Sequence, residues 1–127
     1  MKYLLDTHVV MWCALCPQKL SRTAKEVLLD SNVDKYVSIV SAWEFTVKHS
    51  LGKLDLNGGI DGFFQILEEN RFTVLGIERA YVHQLGNLPA IHHDPFDRML
   101  ISTALAEKMR LVTADQNIHK YDVALVW

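Results

Sequence analysis

Four carboxylates, Asp6, Glu44, Asp97 and Asp115, stand where a chain changes from one element to the next. Asp6 closes the short, mainly apolar run Lys2 to Leu5, and Asp115 comes two residues after the run Arg110 to Thr113. Glu44 completes Ser41-Ala-Trp-Glu44, which has the Ser-x-x-Glu form of a helix capping box. Asp97 lies in His92-His-Asp-Pro-Phe-Asp-Arg98, where Pro95 suits a first helical position and Asp94 the N-cap before it. The positive end of a helix favours acidic side chains, so both aspartates suit that place. Gathered at one rim, such acids repel one another and some take up protons at neutral pH unless a divalent cation relieves the conflict. Oxygen ligands of this kind suit Mg²⁺ or Mn²⁺, with water filling most of the coordination sphere. A centre so built does phosphate chemistry.

Each acid also has a local reading. Asp6 and Asp115 can be ordinary polar residues at strand ends, and Glu44 can be the capping partner of Ser41. Asp94 is read as a cap, which uses its side chain on its own backbone. Asp97, three positions on, has no such duty.

The surrounding elements decide whether the acids meet. Strands are expected at Lys2 to Leu5, Lys35 to Val40, Phe72 to Leu75, Arg110 to Thr113 and Val123 to Val126. Helices are expected at Thr7 to Leu15, Ser21 to Leu29 with Ser21 as cap, Ser41 to Leu51 before Gly52, Phe63 to Asn70, Glu78 to Leu85 and Pro95 to about Lys108, with a short turn from Gln116 to Lys120. This alternation implies an α/β fold, a three-layer sandwich with a central, mainly parallel sheet of about five strands and helices on both faces. In such sheets the functional crevice lies outside the carboxyl ends of the strands. Asp6, Glu44 and Asp115 each follow a strand, and a helix brings Asp97 to the same rim.

The 127 residues suit one domain spanning 1–127. Half are hydrophobic, with no apolar run of membrane-spanning length and an acid at the sixth position where a leader peptide would need apolar residues. A soluble cytoplasmic protein without membrane association is expected. The net charge of -2 excludes a general electrostatic attraction to nucleic acid, so any such contact must be local. Cys13 and Cys16 have Cys-x-x-Cys spacing, but Cys13 falls inside an apolar helix rather than at a helix start, which favours two small packed residues over a redox pair. His92 and His93 are adjacent rather than spaced, against a zinc site. His8 draws notice only because it is two residues from Asp6. Trp12, Trp43, Phe45, Phe63 and Phe64 fall at apolar helical positions and read as core. A receiver domain would need an acceptor Asp near Leu75-Gly76-Ile77, and a haloacid-dehalogenase-type phosphatase an Asp at His8.

Four blocks carry a family resemblance across the whole chain: Leu4-Leu-Asp-Thr-His8, Ser41-Ala-Trp-Glu44 with Lys48 and Leu51-Gly-Lys-Leu54, His92 to Ile101, and Leu111-Val-Thr-Ala-Asp115. In this order and spacing they resemble PIN-domain proteins of the VapC-like toxin type. The resemblance implies an endoribonuclease with a Mg²⁺ or Mn²⁺ site that cleaves RNA through metal-activated water. It implies Asp6, Glu44, Asp97 and Asp115 as catalytic and metal-holding acids, with Thr7, Thr113 and Arg98 in support, and it assigns Asp94 to structure; the place of Asp94 beside the rim also makes it a supporting candidate. His93 stands where this subgroup often has arginine, replacing a fixed cation by a titratable group. A cognate antitoxin protein and a homodimer are the implied partners. The alternative is a catalytically idle module of the same fold that only binds a partner.

Overall fold

The computed structural model describes residues 1–127. Its centre is β1 (Lys2–Leu5), whose Leu4 and Leu5 are fully buried. A strand buried on both faces belongs in the interior of a parallel sheet. β1 is flanked by β2 (Asp34–Ser38) on one side and β4 (Arg110–Val112) on the other. β3 (Thr73–Leu75) and β5 (Leu125–Val126) close the edges, so the order is β3-β2-β1-β4-β5 with every pair parallel.

Side-chain alternation along the strands divides the interior into two cores. Tyr3, Leu5, Val37 and Val112 face the larger one, packed by α1 (Thr7–Leu15), α2 (Arg22–Leu29), α3 (Ile39–Ser50) and α4 (Gly59–Glu69). Leu4 and Leu111 face the smaller, packed by Leu100, Ile101 and Ala104 of α6 (Pro95–Glu107). α5 (Arg79–Leu85) lies along α6, where the Tyr81 hydroxyl donates to Glu107 at 2.9 Å. This is the α/β sandwich expected from the alternation. No helix is long and apolar enough to cross a membrane.

Several boundaries differ from the expected ones. β2 ends at Ser38, not Val40, and the Ser38 hydroxyl caps α3 by accepting from the Val40 amide at 3.1 Å. Ile39 and Val40 have the β-branched side chains of strand residues, yet they form the first turn of α3, where Val40 is buried. Ser41 is therefore not a cap, and Ser41 to Glu44 is not a capping box. α4 begins at Gly59 rather than Phe63, after the left-handed Gly58. β5 has only two residues, and the turn before it is a 3₁₀ helix at Ile118–Lys120. Phe45 and Phe63 stack in the core at 5.1 Å between ring centres. Trp43 does not join them: it is 57% exposed and packs edge-on against Phe96.

Candidate active site

The sheet reverses its direction of growth at β1, with β2 and β4 added on opposite sides. A crevice opens outside the carboxyl ends of strands at such a switch point. Here it is a cleft of ≈ 380 Å³ that contains Asp6, Glu44, Asp94, Asp97 and Asp115 in its lining, together with His8, Trp12, Lys48, His92 and Ala114.

Asp6 takes the N-cap position of α1 but makes no capping hydrogen bond. Its carboxylate instead accepts from the Thr113 hydroxyl at 2.7 Å, and its backbone amide donates to the Val112 carbonyl at 3.0 Å. Asp115 follows on the same turn: its amide donates to the Thr113 hydroxyl at 3.1 Å, and its Oδ1 accepts from the Asn117 amide at 2.8 Å. Thr113 thus links the loops that follow β1 and β4.

Glu44 reaches the cleft from the second turn of α3, freed of any capping task by Ser38. Its Oε1 accepts from the Thr7 hydroxyl at 2.5 Å, and that hydroxyl also lies 2.8 Å from Ser41 Oγ. Its Oε2 pairs with Lys48 one turn along the helix. Asp97 enters from the first turn of α6. Asp94, just outside that helix, accepts from the Phe96 amide at 2.8 Å and the Asp97 amide at 3.3 Å and so caps it. Asp94 also lines the cleft, with Oδ2 3.8 Å from Lys48.

Asp6, Glu44 and Asp97 are all buried, and one oxygen from each lies within 4.8 Å of the others. Burial foremost, then the neighbouring Asp6, Asp94, Glu44 and Asp115, push the Asp97 pKa up to about 8. Burial also raises Asp6, against the lowering effect of its Thr113 hydrogen bond and of His8. Burial alone would lower Lys48, but Glu44, Asp94 and Asp97 outweigh it and hold the ammonium above its ordinary value. Such a set of hard oxygen donors, crowded until one holds a proton, fits a divalent cation that supplies the missing positive charge.

Two of the five lining residues that are not acids, His92 and Lys48, engage the acids directly. His92 Nδ1 accepts from the His93 amide at 3.1 Å, which leaves its proton on Nε2 to donate to Asp97 at 2.9 Å. The same Nε2 is 3.8 Å from Asp115, and His92, Asp97 and Asp115 form a second group of ligand-bearing side chains sharing Asp97 with the first. Adjacency to His93, which argued against a zinc site, is what orients this ring. Lys48 stood in the sequence as part of a resemblance block, four positions after Glu44 and so on the same helix face, but with no role assigned to it.

Arg98 is not brought to the cleft. Its guanidinium donates to the Pro89 carbonyl at 2.9 Å and the Tyr121 hydroxyl at 3.0 Å, and Tyr121 accepts in turn from the His92 amide at 2.8 Å. Arg98 therefore braces the segment that carries His92. Cys13 and Cys16 are unpaired and half-buried, and burial raises the Cys13 thiol, the opposite of what an activated redox thiol needs.

Comparison with known proteins matches the PIN domain model to residues 3–124. The chain belongs to the PIN-domain family. Ribonuclease VapC22 of Mycobacterium tuberculosis is 29% identical over 119 residues, covering 93% of this chain and 90% of the relative. Among solved structures, VapBC2 from Rickettsia felis, bound to a promoter DNA fragment, superposes with a TM-score of 0.76 at 17% identity, covering 99% of this chain and 98% of the other. VapBC-1 from nontypeable Haemophilus influenzae gives 0.68 at 20% identity, covering 99% and 97%. These structural likenesses show the shared fold of the sheet and its helices.

Proposed function

We propose that this PIN-domain protein is a metal-dependent endoribonuclease acting as the toxin of a toxin–antitoxin pair. The observation that carries the reading is the convergence of Asp6, Glu44 and Asp97 within 4.8 Å, with Asp97 driven up to about 8 by its neighbours. The similarity to a protein named a ribonuclease, and the fold shared with VapBC complexes, support it.

Asp6, Asp97 and Asp115 would hold one or two Mg²⁺ or Mn²⁺ ions, with Glu44 binding the ion or orienting water. When bound, such an ion polarises a phosphoryl oxygen and makes attack by water feasible at neutral pH. The protein's own part is positional. Thr113 fixes Asp6, Thr7 fixes Glu44, and His92 fixes Asp97 through hydrogen bonds of 2.7, 2.5 and 2.9 Å. Burial keeps bulk water from screening the carboxylates, so the scissile phosphate meets fixed groups. Cleavage in this arrangement leaves 5′-phosphate ends. A cognate antitoxin, a homodimer and a cytoplasmic location complete the proposal.

The deciding test is cleavage of total cellular RNA with and without EDTA. Cleavage is expected only with Mg²⁺ or Mn²⁺, and equal activity in EDTA would refute the mechanism. Asp6→Asn is expected to lower the rate by about a hundredfold or more while its circular dichroism and melting stay native-like. Retained activity would remove Asp6 from the site. Tight binding of the neighbouring gene product, without RNA cleavage or Mn²⁺ binding, would instead support the idle module.

A further inference from the structure

Five carboxylates line the cleft, and Lys48 is its sole lysine or arginine. Its partner Glu44 has a side chain only 2% exposed, and a buried carboxylate without a compensating partner is costly. Thr7 satisfies Oε1 and Lys48 satisfies Oε2, so Glu44 has both oxygens engaged while also belonging to the close group with Asp6 and Asp97. The ammonium thus neutralises a carboxylate that a divalent cation in the cleft would also draw upon. It lies 3.8 Å from Asp94 as well, and its own side chain is 25% exposed, toward the cleft. Four methylenes allow it to swing without moving α3.

A second constraint comes from the substrate class. RNA brings negative charge to a cleft dominated by carboxylates on a chain of net charge -2. A side-chain cation in that cleft would offset this charge beside the metal, and Arg98, the arginine of α6, is committed to Pro89 and Tyr121. Lys48 alone combines a fixed charge, a flexible stem and a place in the cleft.

Building on the nuclease reading, we propose that Lys48 is a displaceable counter-ion. It neutralises Glu44 and Asp94 until a divalent cation enters, and the released ammonium then pairs with a phosphate oxygen of the RNA. Lys48 therefore competes with the metal and assists the substrate. Its removal has opposite effects on the two.

The test compares the wild type, Lys48→Met and Lys48→Arg, each checked by circular dichroism and melting. Mn²⁺ alone is titrated by calorimetry at low salt. Lys48→Met is expected to bind Mn²⁺ about fivefold more tightly, the scale of one partly exposed ion pair, and Lys48→Arg to remain near the wild type. Binding of a fluorescent single-stranded RNA is then followed by anisotropy in Ca²⁺ over a range of salt. Lys48→Met should bind more weakly, with a log–log salt slope shallower by about 0.7, the loss of one phosphate contact. Mn²⁺ affinity that is unchanged or weaker in Lys48→Met, or an unchanged salt slope, overturns the proposal while leaving a Mn²⁺-binding nuclease intact. If neither wild type nor variant binds Mn²⁺, the metal reading fails and this inference with it. Lysine serving only to hold the fold would lower the melting temperature and weaken both ligands together.

Discussion

Asp97 belongs to both groups of ligand-bearing side chains, with Asp6 and Glu44 on one side and His92 and Asp115 on the other. Its elevated pKa makes a prediction about stability as well as catalysis. A carboxyl with a folded pKa of about 8 and an ordinary value of 3.8 binds its proton more tightly in the native state. Its contribution is therefore fully present below about pH 4 and is lost as pH rises toward and through 8. Asp97→Asn keeps an acceptor for His92 but removes this loss. The metal-free variant is expected to melt roughly 5 °C higher than the wild type at pH 8, with the gain shrinking toward pH 4, while RNA cleavage disappears. Equal melting at both pH values would show that the crowding of carboxylates has no energetic consequence. Asp6, Asp97 and Asp115 were legible in the sequence because strand ends and a helix start mark them. His92 and Lys48 fell within the resemblance blocks, but their part in the site was not legible, since it depends on how α3 and α6 face each other across the cleft. Arg98 follows Asp97 in sequence, but the helix turns its side chain toward Tyr121.

Element boundaries show which local signals survive folding. Ser21 and Asp94 cap α2 and α6 as their sequences imply, each accepting from backbone amides of the first turn. Ser38 rather than Ser41 caps α3, its hydroxyl accepting from the Val40 amide, so the helix takes up Ile39 and Val40 despite their strand-favouring side chains. That shift carries Glu44 past the first turn and into the cleft. The cap of α6 can be separated from its charge. Asp94→Ala should cost about 1 kcal/mol, a fall in melting temperature of roughly 3–6 °C, whereas Asp94→Ser should retain most of the stability. An Asp94→Ala protein that melts like the wild type would exclude the cap role. At the start of α4, Gly62 brings its backbone against the loop before it, and an added Cβ would lie 2.3 Å from the Asn57 carbonyl. Gly62→Ala is expected to destabilise by about 1–3 kcal/mol, because a backbone atom must move to admit the methyl group. Denaturant unfolding measures this directly. The sequence pattern did not reveal this contact, which arises only when α4 extends back to Gly59.

For the molecule as a whole, alternation of strands and helices was enough to read the architecture, and both cores follow from the two faces of β1. The order β3-β2-β1-β4-β5 was less accessible, since local pattern does not say on which side of β1 a later strand will pair. That order is what unites distant acids: the Thr113 hydroxyl and the Asp6 carboxylate meet across 107 positions of sequence. A cation held by Asp6, Glu44, Asp97 and Asp115 would therefore join the ends of β1 and β4 to α3 and α6, a set that an unfolded chain cannot assemble. Binding to the native state alone stabilises by about 2.7 kcal/mol at a hundred times the dissociation constant. Saturating Mn²⁺ should thus raise the melting temperature by roughly 8 °C or more at pH 8, relative to EDTA. The effect should diminish toward pH 6, where Asp97 holds the proton that the cation must expel. Differential scanning fluorimetry over this pH range checks both the size and the slope. A Mn²⁺ effect that is absent, or that grows as pH falls, would contradict a site in which cation and proton compete for Asp97.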